Sequence, residues 1–184
     1  MTARILDCEV DDDCTCIEDT KCKFGQAYGE GSSYHGFWVE DFMYFGSPPN
    51  KESRFRYEFA CVTNETNLFY TQEADGILGL AGTGRKRIKP LFEEMKKQGV
   101  IDNVSFSLCL GYNGGHFSIG GFKSDLIATP EEDLIWVPLI PPNNHYTIEL
   151  TKVTVGDIEI PRPPKRAFID SGTTFSFMSI NQKK

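Results

Sequence analysis

Residues 167–177 read AFIDSGTTFSF. Ala167, Phe168 and Ile169 form an apolar run that delivers Asp170, and Ser171, Gly172, Thr173 and Thr174 follow it. This order suits a carboxylate that has to be held still. Glycine lets backbone N–H groups come close to the acid, and the hydroxyls of Ser171 and Thr173 can donate hydrogen bonds that fix its plane. Asp-Ser-Gly by itself is also a common turn, so the surrounding chain has to decide between the two.

Upstream of Asp170, strand-length apolar runs alternate with turn signals. Gly156-Asp157 sits between Val153, Val155 and Ile158, Ile160, a two-residue hairpin signal. Tyr146, Ile148 and Leu150 alternate with polar neighbours. Residues 135–140 (IWVPLI), 116–119 (HFSI) and 104–110 (VSFSLCL) read as further strands. In 54–61, Phe55, Tyr57, Phe59 and Cys61 point one way, and Arg54, Arg56, Glu58 and Ala60 the other. The aromatic-rich 34–45 (YHGFWVEDFMYF) is another strand. Tyr28-Gly29-Glu30-Gly31-Ser32-Ser33 is the turn that introduces it. A helix is predicted at about 89–98, with Ile88, Leu91, Phe92 and Met95 as its apolar stripe, Pro90 in its first turn and Gly99 at its C-terminal cap. The polar, acidic 123–134 is the best join between two parts of the chain.

The expected fold class is therefore mostly β with few short helices. The net charge of −7 argues against a phosphate-binding surface, so no nucleic-acid partner is expected. Four of the six cysteines fall within the first 22 residues, which points to disulfides and an oxidising compartment. Two sequons, Asn64-Glu65-Thr66 and Asn103-Val104-Ser105, fit a secretory route but add little weight. Residues 1–10 lack the apolar stretch of a signal peptide, and the chain is expected to begin inside a longer protein.

With its surroundings, FIDSGTTFSF resembles the second active-site motif of pepsin-like aspartic proteases. Tyr28-Gly29-Glu30-Gly31-Ser32 with Gly36 is similar to their flap hairpin, and Ala74-Asp75-Gly76-Ile77-Leu78-Gly79-Leu80 to the segment that packs beneath the first catalytic loop. Phe106–Leu110, Gly120-Gly121 and Trp136-Val137-Pro138-Leu139 resemble the end of the N-lobe and the interlobe strand. Tyr146–Leu150 with Val155-Gly156 resembles the approach to the second aspartate. The motifs occur in the family's order along nearly the whole chain.

The resemblance implies a bilobal fold incomplete at both ends: 1–125 as an N-lobe without its first strands, 126–134 as the connection, and 135–184 as the start of a C-lobe. It implies Asp170 as a buried catalytic carboxylate at the midline of a cleft, supported by Ser171, Gly172 and Thr173. Tyr28, Gly29, Glu30 and Gly31 form the flap facing it, over a polypeptide substrate in extended conformation. No cofactor and no metal is expected, and the protein is expected to be a monomer. The route implied is secretory, ending outside the cell or in a lysosome- or vacuole-like compartment, with a membrane anchor allowed in later sequence.

The cysteines are similar to those of the nepenthesin-like and plasmepsin-like branches. If strands 54–61 and 104–110 are neighbours, Cys61 and Cys109 should be bridged; Cα atoms much beyond ~7 Å apart would refute that. Cys8, Cys14, Cys16 and Cys22 allow three connectivities, and their short spacings also permit zinc. The family's first Asp-Thr/Ser-Gly motif is absent, so these residues alone are expected to have no peptidase activity. The alternative is a catalytically dead binding or inhibitor protein on the same fold.

Overall fold

The computed structural model describes residues 3–7, 15–17, 21–29, 31–46, 53–82, 89–128, 133–142 and 145–178. Glu30, Cys8, Cys14, Ile88 and the acidic run at 11–13 lie outside them. The chain divides into two compact units, Met1–Leu126 and Ile127–Lys184.

The first unit is built on one long strand. β4 (Ser33–Met43) runs antiparallel to β5 (Phe55–Glu65) along one edge. Its other edge is shared by β3 (Lys21–Ala27) and β1 (Arg4–Ile5), with β2 (Thr15–Ile17) outside β3. A bulge interrupts the β4–β5 ladder between His35 and Gly36. It explains the glycine: a Cβ on Gly36 would collide with the Cys61 carbonyl oxygen. Leu6, Cys22, Phe24 and Trp38 form the buried cluster on this sheet, with Tyr34 and Ala60 packed against it.

A second cluster collects Phe55 with Leu91, Phe92 and Met95 of α1 (Leu91–Lys97). Three of the four predicted stripe residues, Leu91, Phe92 and Met95, thus become core, as helical spacing requires. Pro90 serves as N-cap rather than inside the first turn, and Gly99 ends the helix at φ +73°. Glu93 and Glu94 open the helix and Lys96 and Lys97 close it, the arrangement its dipole favours. β6 (Phe106–Gly111) and β7 (Gly114–Ile119) form a hairpin whose Phe106 and Ile119 cover the same cluster.

The second unit has β8 (Tyr146–Glu149) paired with β11 (Arg166–Ile169), and a hairpin of β9 (Thr154–Val155) and β10 (Ile158–Glu159) around Gly156-Asp157. Residues 135–140 do not form the expected strand: among the described residues a single backbone bond, Ile140 N–H to the Thr147 carbonyl at 2.8 Å, ties them to β8 without making a ladder, and Ile135 and Trp136 are 90% and 79% exposed. No helix among the described residues is long and apolar enough to cross a membrane.

One cysteine expectation is corrected. Cys61 and Cys109 are free thiols, both exposed. Their bridge presupposed that the two strands are neighbours, whereas β5 pairs with β4 and β6 with β7. Cys16 and Cys22, directly opposite across β2 and β3, are each disulfide-bonded. A disulfide sulfur is no thiolate, so these two are not available as zinc ligands.

Candidate active site

β11 is held to β8 through four register pairs, from Arg166↔Glu149 to Ile169↔Tyr146, and the chain turns immediately after Ile169. That turn gathers donors around Asp170. The Gly172 N–H donates to Oδ1 at 2.9 Å, the Thr173 hydroxyl to Oδ2 at 2.5 Å, and the Thr173 N–H to the Asp170 carbonyl oxygen at 3.3 Å. A side chain on Gly172 would start 3.3 Å from Oδ1, so glycine keeps the approach open. Of the two hydroxyls anticipated, Thr173 engages the carboxylate and Ser171 does not.

Donors aimed at a carboxylate stabilise its charged form. The Thr173 hydroxyl, and after it the Gly172 N–H, hold Asp170 below the usual carboxylate range; slight burial opposes them, and the nearby His145 charge helps. His145 also lies 5.4 Å, ring to ring, from Phe168.

The burial expected of Asp170 is not observed: the side chain is exposed, as are Phe168 (60%) and Ile169 (61%). The physical reason is local. Among the described residues of 127–184 the strands pair as two-stranded ribbons and none belongs to the buried core, and a ribbon without a second layer buries neither face. The loop therefore presets the carboxylate's hydrogen bonds while leaving it in contact with solvent.

The Tyr28 turn, in the first unit, closes on two backbone hydrogen bonds. Gly31 N–H donates to the Tyr28 carbonyl at 3.0 Å, and Tyr28 N–H to the Ser32 carbonyl at 2.9 Å. Gly31, at φ +93°, takes the left-handed position such a loop ends on. Gly29 is exposed, and Glu30 is outside the described residues. The Tyr28 hydroxyl meets the Tyr34 hydroxyl at 3.1 Å, and its ring packs edge-on to Phe69 with centroids 5.6 Å apart.

The segment after β5 staples this hairpin. Asn67 Nδ2 donates to the Gly31 carbonyl at 2.7 Å, and Leu68 N–H to the hydroxyl of the fully buried Ser32 at 3.3 Å. Thr66 Oγ1 accepts from Ser33 N–H at 3.0 Å and meets Ser33 Oγ at 3.1 Å. The roles of Thr66, Asn67 and Phe69 were not found by reading the sequence, because no local motif joins residues 33 to 41 positions apart; that of Tyr34, six positions from Tyr28, was missed as well. Asn67 carries one faint signal, being a residue type that tolerates the left-handed φ of +54° it adopts.

Thr66→Val keeps the shape and removes the hydroxyl. It is expected to lower unfolding free energy by about 1–3 kcal/mol, since Ser33 N–H loses its partner, and to speed amide exchange at Gly31 and Ser33. Unchanged exchange at both amides would mean that the staple does not hold the turn.

Ala74–Gly79 lines a cavity of about 720 Å³ together with Phe24, Tyr34, Trp38 and the 57–62 stretch of β5. Ile77 and Leu78, for which packing was expected, are 57% and 43% exposed beside it. The three histidines do not gather: His35 stands opposite Asn64 and His116 opposite Cys109, while His145 belongs to the other unit. No group of three metal-ligating side chains occurs among the described residues.

Aspartic protease 5 of Toxoplasma gondii is 35% identical over 114 residues, which cover 61% of this chain and 12% of that protein. Plasmepsin V of Plasmodium falciparum is 29% identical over 114 residues, covering 61% and 19%. Aspartic proteinase 36 of Arabidopsis thaliana is 28% identical over 203 aligned positions, covering 98% of this chain and 39% of its own length. The chain thus spans well under half the length of these relatives. The sequence pattern of the eukaryotic aspartyl proteases matches residues 11–183, almost end to end, and the chain belongs to that family.

Proposed function

We propose that the protein is an aspartic endopeptidase in which Asp170 is one of two catalytic carboxylates. The observation that carries this reading is the Asp170 loop, where an N–H and a hydroxyl are already aimed at the two carboxylate oxygens. Two facing carboxylates share one proton, because like charges that close do not both ionise. The ionised partner takes a proton from a water between them, the water attacks the peptide carbonyl, and the protonated partner polarises that carbonyl. The stapled Tyr28 hairpin covers an extended polypeptide substrate and excludes bulk water. Only one Asp-Ser/Thr-Gly motif occurs in the 184 residues, so on this reading these residues alone do not hydrolyse peptides. The disulfides at Cys16 and Cys22 support a secretory route.

The test is cleavage of a denatured protein at acidic pH by the intact protein purified from the cells that make it. Hydrolysis blocked by a statine-type inhibitor supports the proposal; inhibitor-insensitive or absent hydrolysis overturns it.

A pH shift should follow from the Thr173 bond. Thr173 stabilises the ionised form of Asp170 and lowers its pKa, so Thr173→Val removes that donor and the pKa rises. With Asp170 as the ionised base, activity is then lost earlier as the pH falls. The acid limb of kcat/KM against pH is expected to move upward, and a limb that stays put would separate Thr173 from the chemistry.

A further inference from the structure

The chain carries two Asn-X-Ser/Thr triplets whose asparagines are both exposed, and the fold differs in how it engages their hydroxyls. Asn64 is the next-to-last residue of β5, paired with His35 across the ladder. The hydroxyl its triplet needs, on Thr66, is taken by Ser33: it accepts from the Ser33 N–H, meets the Ser33 hydroxyl, and can donate to the Ser33 carbonyl at 3.2 Å. Asn103 lies instead in the loop between α1 and β6. Asp102, Asn103 and Val104 are all exposed there, Val104 at 49%. Ser105 N–H folds back onto the Asn103 carbonyl at 2.9 Å, making the triplet a tight turn, and the Ser105 carbonyl accepts from Gly120 N–H at 2.7 Å, which leaves the Ser105 side chain out of the backbone bonding. Among the described residues nothing hydrogen-bonds the Ser105 hydroxyl.

We propose that Asn103 carries an N-linked glycan and that Asn64 does not. An acceptor triplet has to present its amide and its hydroxyl together to an external enzyme, and its product has to tolerate a bulky, strongly hydrated sugar at the surface. The 102–104 loop meets both conditions; Asn64 is exposed as well, so the hydroxyl is what separates the two sites. At Asn64 the hydroxyl is committed to the staple that fixes the Tyr28 hairpin, so modification there competes with forming it. In the transfer, Asn103 Nδ2 attacks C1 of the first sugar of a lipid-linked oligosaccharide pyrophosphate. The C1–O bond to the pyrophosphate breaks, the lipid pyrophosphate leaves as an anion, and the amide nitrogen gives up one proton. No oxidation or reduction is involved.

The inference rests on the secretory route proposed above, and two preparations separate the two. In the first, the 184 residues are sent through a eukaryotic secretory pathway behind an appended signal peptide, and site occupancy is read by glycopeptide mass spectrometry. Asn103 is expected to be occupied and Asn64 to be bare. Asn103→Gln and Ser105→Ala should each abolish the mobility shift that peptide N-glycosidase removes, whereas Asn64→Gln should leave it intact. A bare Asn103, or equal occupancy at Asn64, overturns the geometric choice. The second preparation is the protein from its own cells. A glycan on Asn103 there supports the proposal. A bare Asn103 there, after occupancy in the first preparation, refutes the route and with it the modification.

Discussion

Asp170→Asn is expected to lower the peptidase kcat/KM of the intact protein by about 10²–10⁴-fold, the range over which a positioned acid–base group contributes. Asparagine preserves the size: its amide oxygen can still accept from Gly172 N–H, and its NH2, in place of Oδ2, can donate to the Thr173 hydroxyl oxygen. It cannot take a proton from water or share one with a second carboxylate. The loss should therefore appear in kcat, with KM little changed, because the interaction removed belongs to the transition state. Folding gives the control. Asp170 is exposed and its substitute keeps its acceptor, so the variant should unfold at the wild-type temperature. A variant that retains more than a tenth of the activity would remove Asp170 from the chemistry, and with it the proposed mechanism.

What the sequence made legible follows the range of the interactions involved. The Asp170 loop, the Tyr28 turn, the Gly156-Asp157 hairpin and the α1 stripe are each set within a few residues, by backbone freedom, hydroxyl placement or helical spacing. All four appear in the structure. The failures concern who neighbours whom. The pairing of Cys61 with Cys109 required two strands to be adjacent, and strand adjacency is a property of the sheet that neither strand encodes alone. Residues 135–140 have a strand's composition, yet a strand exists only where a partner ladder meets it. The burial of Asp170 likewise depended on a covering layer that the β8–β11 ribbon does not contain. The hairpin staple was invisible for the same reason, since Thr66 and Asn67 act on residues 33 and 36 positions away.

Phe55→Ala should be the most destabilising single core substitution in the first unit, by about 3–5 kcal/mol, the usual cost of truncating a buried phenylalanine. Phe55 is 1% exposed and opens β5, where it meets its own strand and two other pieces of chain. Its ring stacks on Phe45 with centroids 6.4 Å apart, lies 6.1 Å from Tyr57, and shares the cluster of Leu91, Phe92 and Met95 on α1. A seven-residue helix has little stability of its own in water, so α1 persists because this cluster buries its stripe. Emptying the Phe55 position removes the surface against which the helix is fixed, and with it part of the cluster on which the β6–β7 hairpin packs through Phe106. Against a typical total of about 5–15 kcal/mol, such a loss is a large fraction of what keeps the unit folded. Leu78→Ala is the matched contrast: at 43% exposure it gives up little burial and should cost under about 1 kcal/mol. Urea unfolding of both variants decides the matter, for if Phe55→Ala costs no more than Leu78→Ala, the cluster does not hold α1 to the sheet.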